Sequence, residues 1–326
     1  MGGLRHWSAD QQVALLFVVL FGLLTLATAL LVLLGLRESA QAPAQAQRRE
    51  RQQRELAGVW LGAGLFWVAW ISGALGATLL FGALSFLALR EYITLVDTHR
   101  GDHRSLLLAF FGVLPLQYLL VGYRQIDLFT VLIPVYVFLA IPVISAMAGD
   151  PRRFLERNAK IQWGIMVCIY GLSHAPALLL LPAEGLKGRG AFLLFFLVMV
   201  ASSAYIVQAL ASRRLRRRPV ARQISRSFSF RAWGLGVAGA ALVGAMLFWI
   251  TPFRPAQALL VAALAGGAGT LGAFVMQALK KDAGVRFWGN ASSVTGAVGL
   301  LDRVAPLCFA APVFFHSMRW FVPQVG

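Results

Sequence analysis

Long apolar runs recur along this chain and limit its fold more than any other feature. In hydrocarbon every backbone N–H and C=O must be paired internally, so a run of about 20 apolar residues has to become a helix. Such runs cover 13–36, 56–89, 105–122, 127–147, 161–181, 190–211, 232–250, 255–279 and 304–321. The run 56–89 is too long for one span: its 34 residues would reach about 51 Å as a straight helix, against a hydrocarbon core of about 30 Å. Ser72 and Gly73 lie near its middle and divide it into two short helices. The expected fold is an all-α, polytopic transmembrane helical bundle with nine to ten spans. The run 13–36 is longer than a signal-peptide core and reads as a retained helix.

Charge placement tests that count. Lys and Arg total 30 against 13 Asp and Glu, and 24 of the 30 fall in the stretches 37–55, 90–104, 148–160, 212–231 and 280–303. The other six are Arg5, Arg124, Lys187, Arg189, Arg254 and Arg319. A ten-span chain places the five basic stretches on one side, which the positive-inside rule assigns to the cytoplasm, with both termini outside. A single span over 56–89 would move the first basic stretch to the other side, which favours the split at Ser72–Gly73.

With 59% hydrophobic residues, no separate basic domain exists outside the spans, so nucleic acid is excluded as a partner in favour of membrane lipids and phosphates. Cys168 and Cys308 fall inside apolar runs without Cys/His ligand spacing, which excludes a disulfide framework or a zinc site. The polar linker 37–55 reads as a solvated cytoplasmic connector, and the RRLRRR cluster at 213–218 reads as a topology anchor or a contact for headgroup or triphosphate. His174 precedes Pro176 within a span and reads as a structural hydrogen-bonding residue. Gly266, Gly267, Gly269 and Gly272 read as helix-packing positions, because no strand precedes them and no P-loop Lys-Ser/Thr follows.

The stretch 280–319 gathers Lys280, Lys281, Asp282, Asp302 and Arg303 in and around one loop before the last apolar run. Ionised groups of both signs at a membrane boundary suit a charged ligand. Its order KKDAGVRFWG, then LDR, then LCFAAPVFFH, resembles the C-terminal signature of the phosphatidate cytidylyltransferases, or CDP-diacylglycerol synthases. LSFLALREY (84–92), RGDHRSLLLAFF (100–111), LPLQYLLVG (114–122) and GDPRRFLERNAKIQWGIMVCIYGLSHAPALL (149–179) are similar to a bacterial branch of that family. The resemblance divides the chain into N-terminal transmembrane helices over 1–83 and a cytidylyltransferase-like domain over 84–326.

The resemblance implies an enzyme of the bacterial inner membrane that joins CTP to phosphatidate, releasing pyrophosphate. A lipid phosphate is already a nucleophile at neutral pH, so the protein's task is to hold Mg2+ and the triphosphate. By the family motif, Asp282 and Asp302 are the metal-binding and catalytic carboxylates, with Lys281 beside them. Lys280, Arg303, Ser225, Gln208 and Arg231 are substrate-binding, and a homodimer is a candidate assembly.

The chain also departs from the pattern. The family's P-G-H-G-G is replaced by SSVTGAVG (292–299), and the last Asp of D-R-x-D is Ala305. An ungapped register places Tyr205 at a family Asp, with Gln208 retained, and Phe228 at the Lys of S-P-x-K-T, with Ser225 retained. No acidic residue occurs in 196–235. Two readings follow: an active enzyme with an altered site, or a catalytically impaired relative acting as a lipid-binding or regulatory partner.

Overall fold

The computed structural model describes residues 73–181, 190–215, 219–225, 228–284 and 299–321, with scattered helical positions between 11 and 29 and between 64 and 72. The chain divides at Ser72–Gly73 into two compact units. The described positions of the first up to Ile71 are helical and mostly apolar; Thr25 returns its hydroxyl to the Phe21 carbonyl at 2.8 Å, which satisfies a polar side chain within its own helix. The linker 37–55, the span around 30–36 and Arg216, Arg217 and Arg218 of RRLRRR lie outside the described residues.

The second unit opens at Gly73, whose φ of +67° belongs to a conformation that glycine adopts without a Cβ clash. That is the point at which the sequence divides the run 56–89. Among the described residues eight helices follow: α1 Gly73–Ile93, α2 Arg100–Gly122, α3 Ile126–Met147, α4 Phe154–Leu180, α5 Gly190–Leu215, α6 Phe230–Met246, α7 Pro255–Asp282 and α8 Leu300–Phe321. No strand occurs among the described residues. Six of these helices are long and apolar enough to cross a membrane, namely α1 to α5 and α7. The shorter α6 is continued by a tight turn, Phe248–Ile250, and α8 has the length to span, with Pro306 and Pro312 inside it.

Prolines recur in α2, α3 and α4, where each removes a backbone donor. The helices widen locally into π-type turns over Leu108–Val113, Leu132–Val137 and Ile165–Gly171, close to Pro115, Pro134 and Pro176.

Packing forms two groups joined by α8 and by the Leu178–Leu180 end of α4, which packs on α5. α5, α6 and α7 pack tightly on one another, α1 packs on α2 and α4, and α8 contacts α1, α4, α5 and α7. Small residues make these approaches possible. A Cβ on Gly272 would lie 2.2 Å from the Phe309 ring, one on Gly269 would lie 2.8 Å from the Pro306 carbonyl, and one on Gly266 would lie 2.5 Å from Ala240. These glycines are packing positions, as the sequence indicates. The other side of α8 meets α4 as closely, since a Cβ on Gly171 would fall 2.3 Å from the Cys308 carbonyl.

Helix ends alternate between two sides of the bundle. Tyr92 donates to the Lys160 carbonyl at 3.0 Å, and Arg157 pairs with Asp102 at 2.7 Å, which brings the end of α1 and the starts of α2 and α4 to one side. Arg319 meets Asp127 at 3.3 Å on the other.

Candidate active site

The first side gathers the charged residues of α1, α7 and α8. The expected loop over 280–303 is shorter than hydropathy suggests. α7 continues through Lys280, Lys281 and Asp282 to a stop at Gly284, whose φ is +69°, and its 28 residues extend about 42 Å, beyond a hydrocarbon core of about 30 Å. α8 begins at Leu300 after Gly299, whose φ is +73°, so Asp302 and Arg303 occupy its first turn. Lysines at a helix C-terminus and an aspartate at a helix N-terminus both complement the macrodipole, which explains why helix persists where apolar residues stop. These charged residues therefore stand on rigid helix ends rather than in a loop.

Lys280 Nζ donates to Asp302 Oδ1, joining α7 to α8; the lysine is largely buried and the aspartate is about one-third exposed. Asp282 is exposed on the last turn of α7, within electrostatic reach of Tyr92 on α1. Lys281 and Arg303 are exposed. Residues 285–298, including most of SSVTGAVG, lie outside the described residues.

A residue that the sequence motif does not assign completes the junction. Glu91, in the last turn of α1, is only 3% exposed. Its Oε2 accepts the backbone N–H groups of Leu300 at 2.9 Å and Leu301 at 3.3 Å, so a side chain from α1 caps α8 across 209 residues of sequence. Its Oε1 is buried and has no hydrogen-bond partner among the described residues. The signal available in the sequence is a carboxylate at the end of an apolar helix, within REY at 90–92.

The other predicted positions lie around α5 and the start of α6. Gln208 is half-buried on α5 against Gly236, and its Oε1 is buried with no hydrogen-bond partner. Ser225 is buried and Arg231 is exposed. Phe228, at the family's lysine position, is buried and stacks on Phe274 with ring centroids 4.2 Å apart. That stack ties the segment before α6 to α7, six residues or about 9 Å before Lys280. Tyr205 is partly exposed on α5.

His174 lies in the bundle core among Phe129, Tyr170, Phe315 and His316, its Nδ1 donating to the Tyr170 carbonyl at 2.7 Å. It is placed as a structural residue, away from the carboxylates on α7 and α8.

A fold built around α8, with acidic and basic groups gathered where α8 meets α1 and α7, agrees with the sequence relationships of the whole chain. The profile of the cytidylyltransferase family matches residues 52–321. The chain belongs to the cytidylyltransferase family. The match begins before α1 and ends at the last residue of α8, so the family signature includes every element of the junction. An uncharacterized protein of Escherichia coli (strain K12), YnbB, is 37% identical over 266 residues, which cover 80% of this chain and 85% of that relative. Within this cytidylyltransferase-family chain the charged junction is the candidate active site.

Whether Mg2+ fits depends on the oxygens present. Among the described residues no group of three His, Cys, Asp or Glu side chains could hold a metal ion. Mg2+ does not require such a cage, because it is ordinarily held by one or two carboxylates together with substrate phosphates and water. Glu91, with an unpartnered oxygen, and Asp302, one residue beyond the Leu301 N–H that Glu91 holds, fit that requirement.

Proposed function

We propose that this protein is an integral-membrane phosphatidate cytidylyltransferase, converting CTP and phosphatidate to CDP-diacylglycerol and pyrophosphate. The observation that carries this reading is the Glu91–Lys280–Asp302 junction at one end of the bundle, in a chain of the cytidylyltransferase family. A phosphate oxygen of the lipid forms the new bond to the α-phosphorus of CTP, the bond from that phosphorus to the β-phosphate bridging oxygen breaks, and pyrophosphate leaves with its electrons.

The chain's residues position and neutralise. Lys280 and Lys281 stand on the last turn of α7, where their charge can offset triphosphate, and Arg303 adds a guanidinium on the first turn of α8. Gln208, Ser225 and Arg231 are the second group of substrate contacts, tied to α7 through the Phe228–Phe274 stack. Mg2+, when bound, supplies charge neutralisation at the phosphates. Asp282 and Asp302 are its proposed protein ligands. The substrate diffuses in the membrane, so a site at the helix ends of a transmembrane bundle suits a lipid phosphate and a soluble nucleotide together. By the charge bias, this side faces the cytoplasm.

Purified protein given phosphatidate, labelled CTP and magnesium is expected to form labelled CDP-diacylglycerol, with Asp282→Asn abolishing it. No product, under conditions where an intact family member turns over, refutes the enzyme reading. A second reading, a lipid-binding or regulatory family member without catalysis, is favoured by one observation: Phe228 occupies the family's lysine position and is committed to packing.

A further inference from the structure

Glu91 is harder to explain as a helix cap alone. A carboxylate buried to this degree accepts the N–H groups of Leu300 and Leu301 through Oε2 and has the Gly299 N–H beside it, while its Oε1 has no hydrogen-bond partner among the described residues. Leaving a buried acceptor unpaired costs about 1–3 kcal/mol, and more for a charged one, so such an atom calls for a ligand or a function. The surroundings indicate the ligand's sign. Asp302 adds a second negative charge one residue beyond the Leu301 N–H that Glu91 holds, and it repels Glu91 electrostatically. Lys280 is paired with Asp302, not with Glu91. Lys280 is thus engaged by Asp302, and no described basic side chain bonds to Glu91 Oε1.

The sequence pattern poses the complementary question. Tyr205 stands where the family has a carboxylate, and no acidic residue in 196–235 replaces it. A replacement from another element is compatible with the fold, because α8 brings α1 and α7 together.

We infer that Glu91 is a further carboxylate of the cation site, offering Oε1 to a divalent cation shared with Asp302 while Oε2 fixes the start of α8. This inference rests on the cytidylyltransferase reading and names a protein ligand from α1. The hard, acceptor-only carboxylate oxygen suits Mg2+ or Mn2+ brought in with the nucleotide's phosphates. Because the same side chain holds α8 and the cation, Asp302 keeps a fixed position relative to the metal.

The test measures Mn2+ binding to the purified full-length protein in the presence of CTP, by loss of the free-ion electron paramagnetic resonance signal. Glu91→Gln retains an acceptor for Leu300 and Leu301 but loses the anionic oxygen. It is expected to weaken Mn2+ binding about tenfold or more with an unchanged elution profile. Unchanged affinity in the folded variant overturns the inference, as does an absence of Mn2+ binding in the unsubstituted protein.

Should Glu91→Gln fail to fold, Fe2+ and ascorbate applied to the unsubstituted protein give the same decision. Backbone cuts near both residue 91 and residue 302 support the shared site, and cuts near 302 without cuts near 91 overturn it. The function is judged separately. Mn2+ binding that depends on Glu91 without CDP-diacylglycerol formation refutes the synthase reading and leaves the cation site. Product formation with binding that ignores Glu91 does the reverse.

Discussion

Arg157 illustrates how single side chains hold the site-bearing end of the bundle. It is 2% exposed, donates through Nε to Asp102 at 2.7 Å, and reaches the Asp150 and Arg152 carbonyls through Nη1 at 3.2 and 2.8 Å. Asp102 in turn accepts the His99 N–H at 2.8 Å. Gly101 gives this guanidinium room, because a Cβ there would lie 2.8 Å from Nη2. Arg157→Met removes the countercharge and leaves Asp102 buried, so a loss of about 3–5 kcal/mol is expected in unfolding of the purified protein. Replacing Asp102 by Leu in the same chain is expected to recover most of that loss, because no buried charge then lacks its partner. Recovery is the decisive outcome; a double variant as unstable as the single one contradicts the pairing. At this scale the motif that holds Asp282 and Asp302 is visible in the sequence, whereas the contact of Glu91 with α8 is not. Its partners are the N–H groups of Leu300 and Leu301, and no local pattern around REY at 90–92 refers to a helix start 209 residues away.

Helices show the opposite balance. From residue 105 onward their order was legible because hydrocarbon demands long apolar runs, and the predicted runs from 105 to 321 each correspond to one described helix. Their ends were less legible, since hydropathy stops at the first charge while the backbone continues. α7 passes Lys280 and Lys281 to reach Gly284, and α8 starts four residues before Val304. Close packing at α7 gives a test at this scale. Gly272→Ala would drive a methyl group to within 2.2 Å of the Phe309 ring and is expected to cost about 1–3 kcal/mol through overpacking. Gly82→Ala on α1 meets the Tyr118 ring at 3.6 Å, an ordinary contact, and is expected to be neutral or slightly stabilising. Thermal unfolding of the two variants side by side checks this; equal effects would refute the packing role assigned to Gly272.

Across the whole second unit, alternation of helix ends makes a prediction about sidedness. Cys168 and Cys308 are buried, so the native chain offers a low background to membrane-impermeant thiol reagents. Cysteines placed at the exposed positions Arg152 and Arg222 are expected to react from the cytoplasmic face, and those at the exposed Arg124 and Arg254 from the opposite face. Labelling of all four from one side would overturn the alternation. The cap on α8 also sets an order of events during synthesis. Glu91 leaves the ribosome 209 residues before Leu300, an interval of about 10–40 s at roughly 5–20 residues per second. Until α8 inserts, that carboxylate has no helix start to receive it. A chain that stops before Leu300 therefore lacks both N–H groups that Glu91 Oε2 accepts, and α1 and α8 are joined at this end only once α8 has been made.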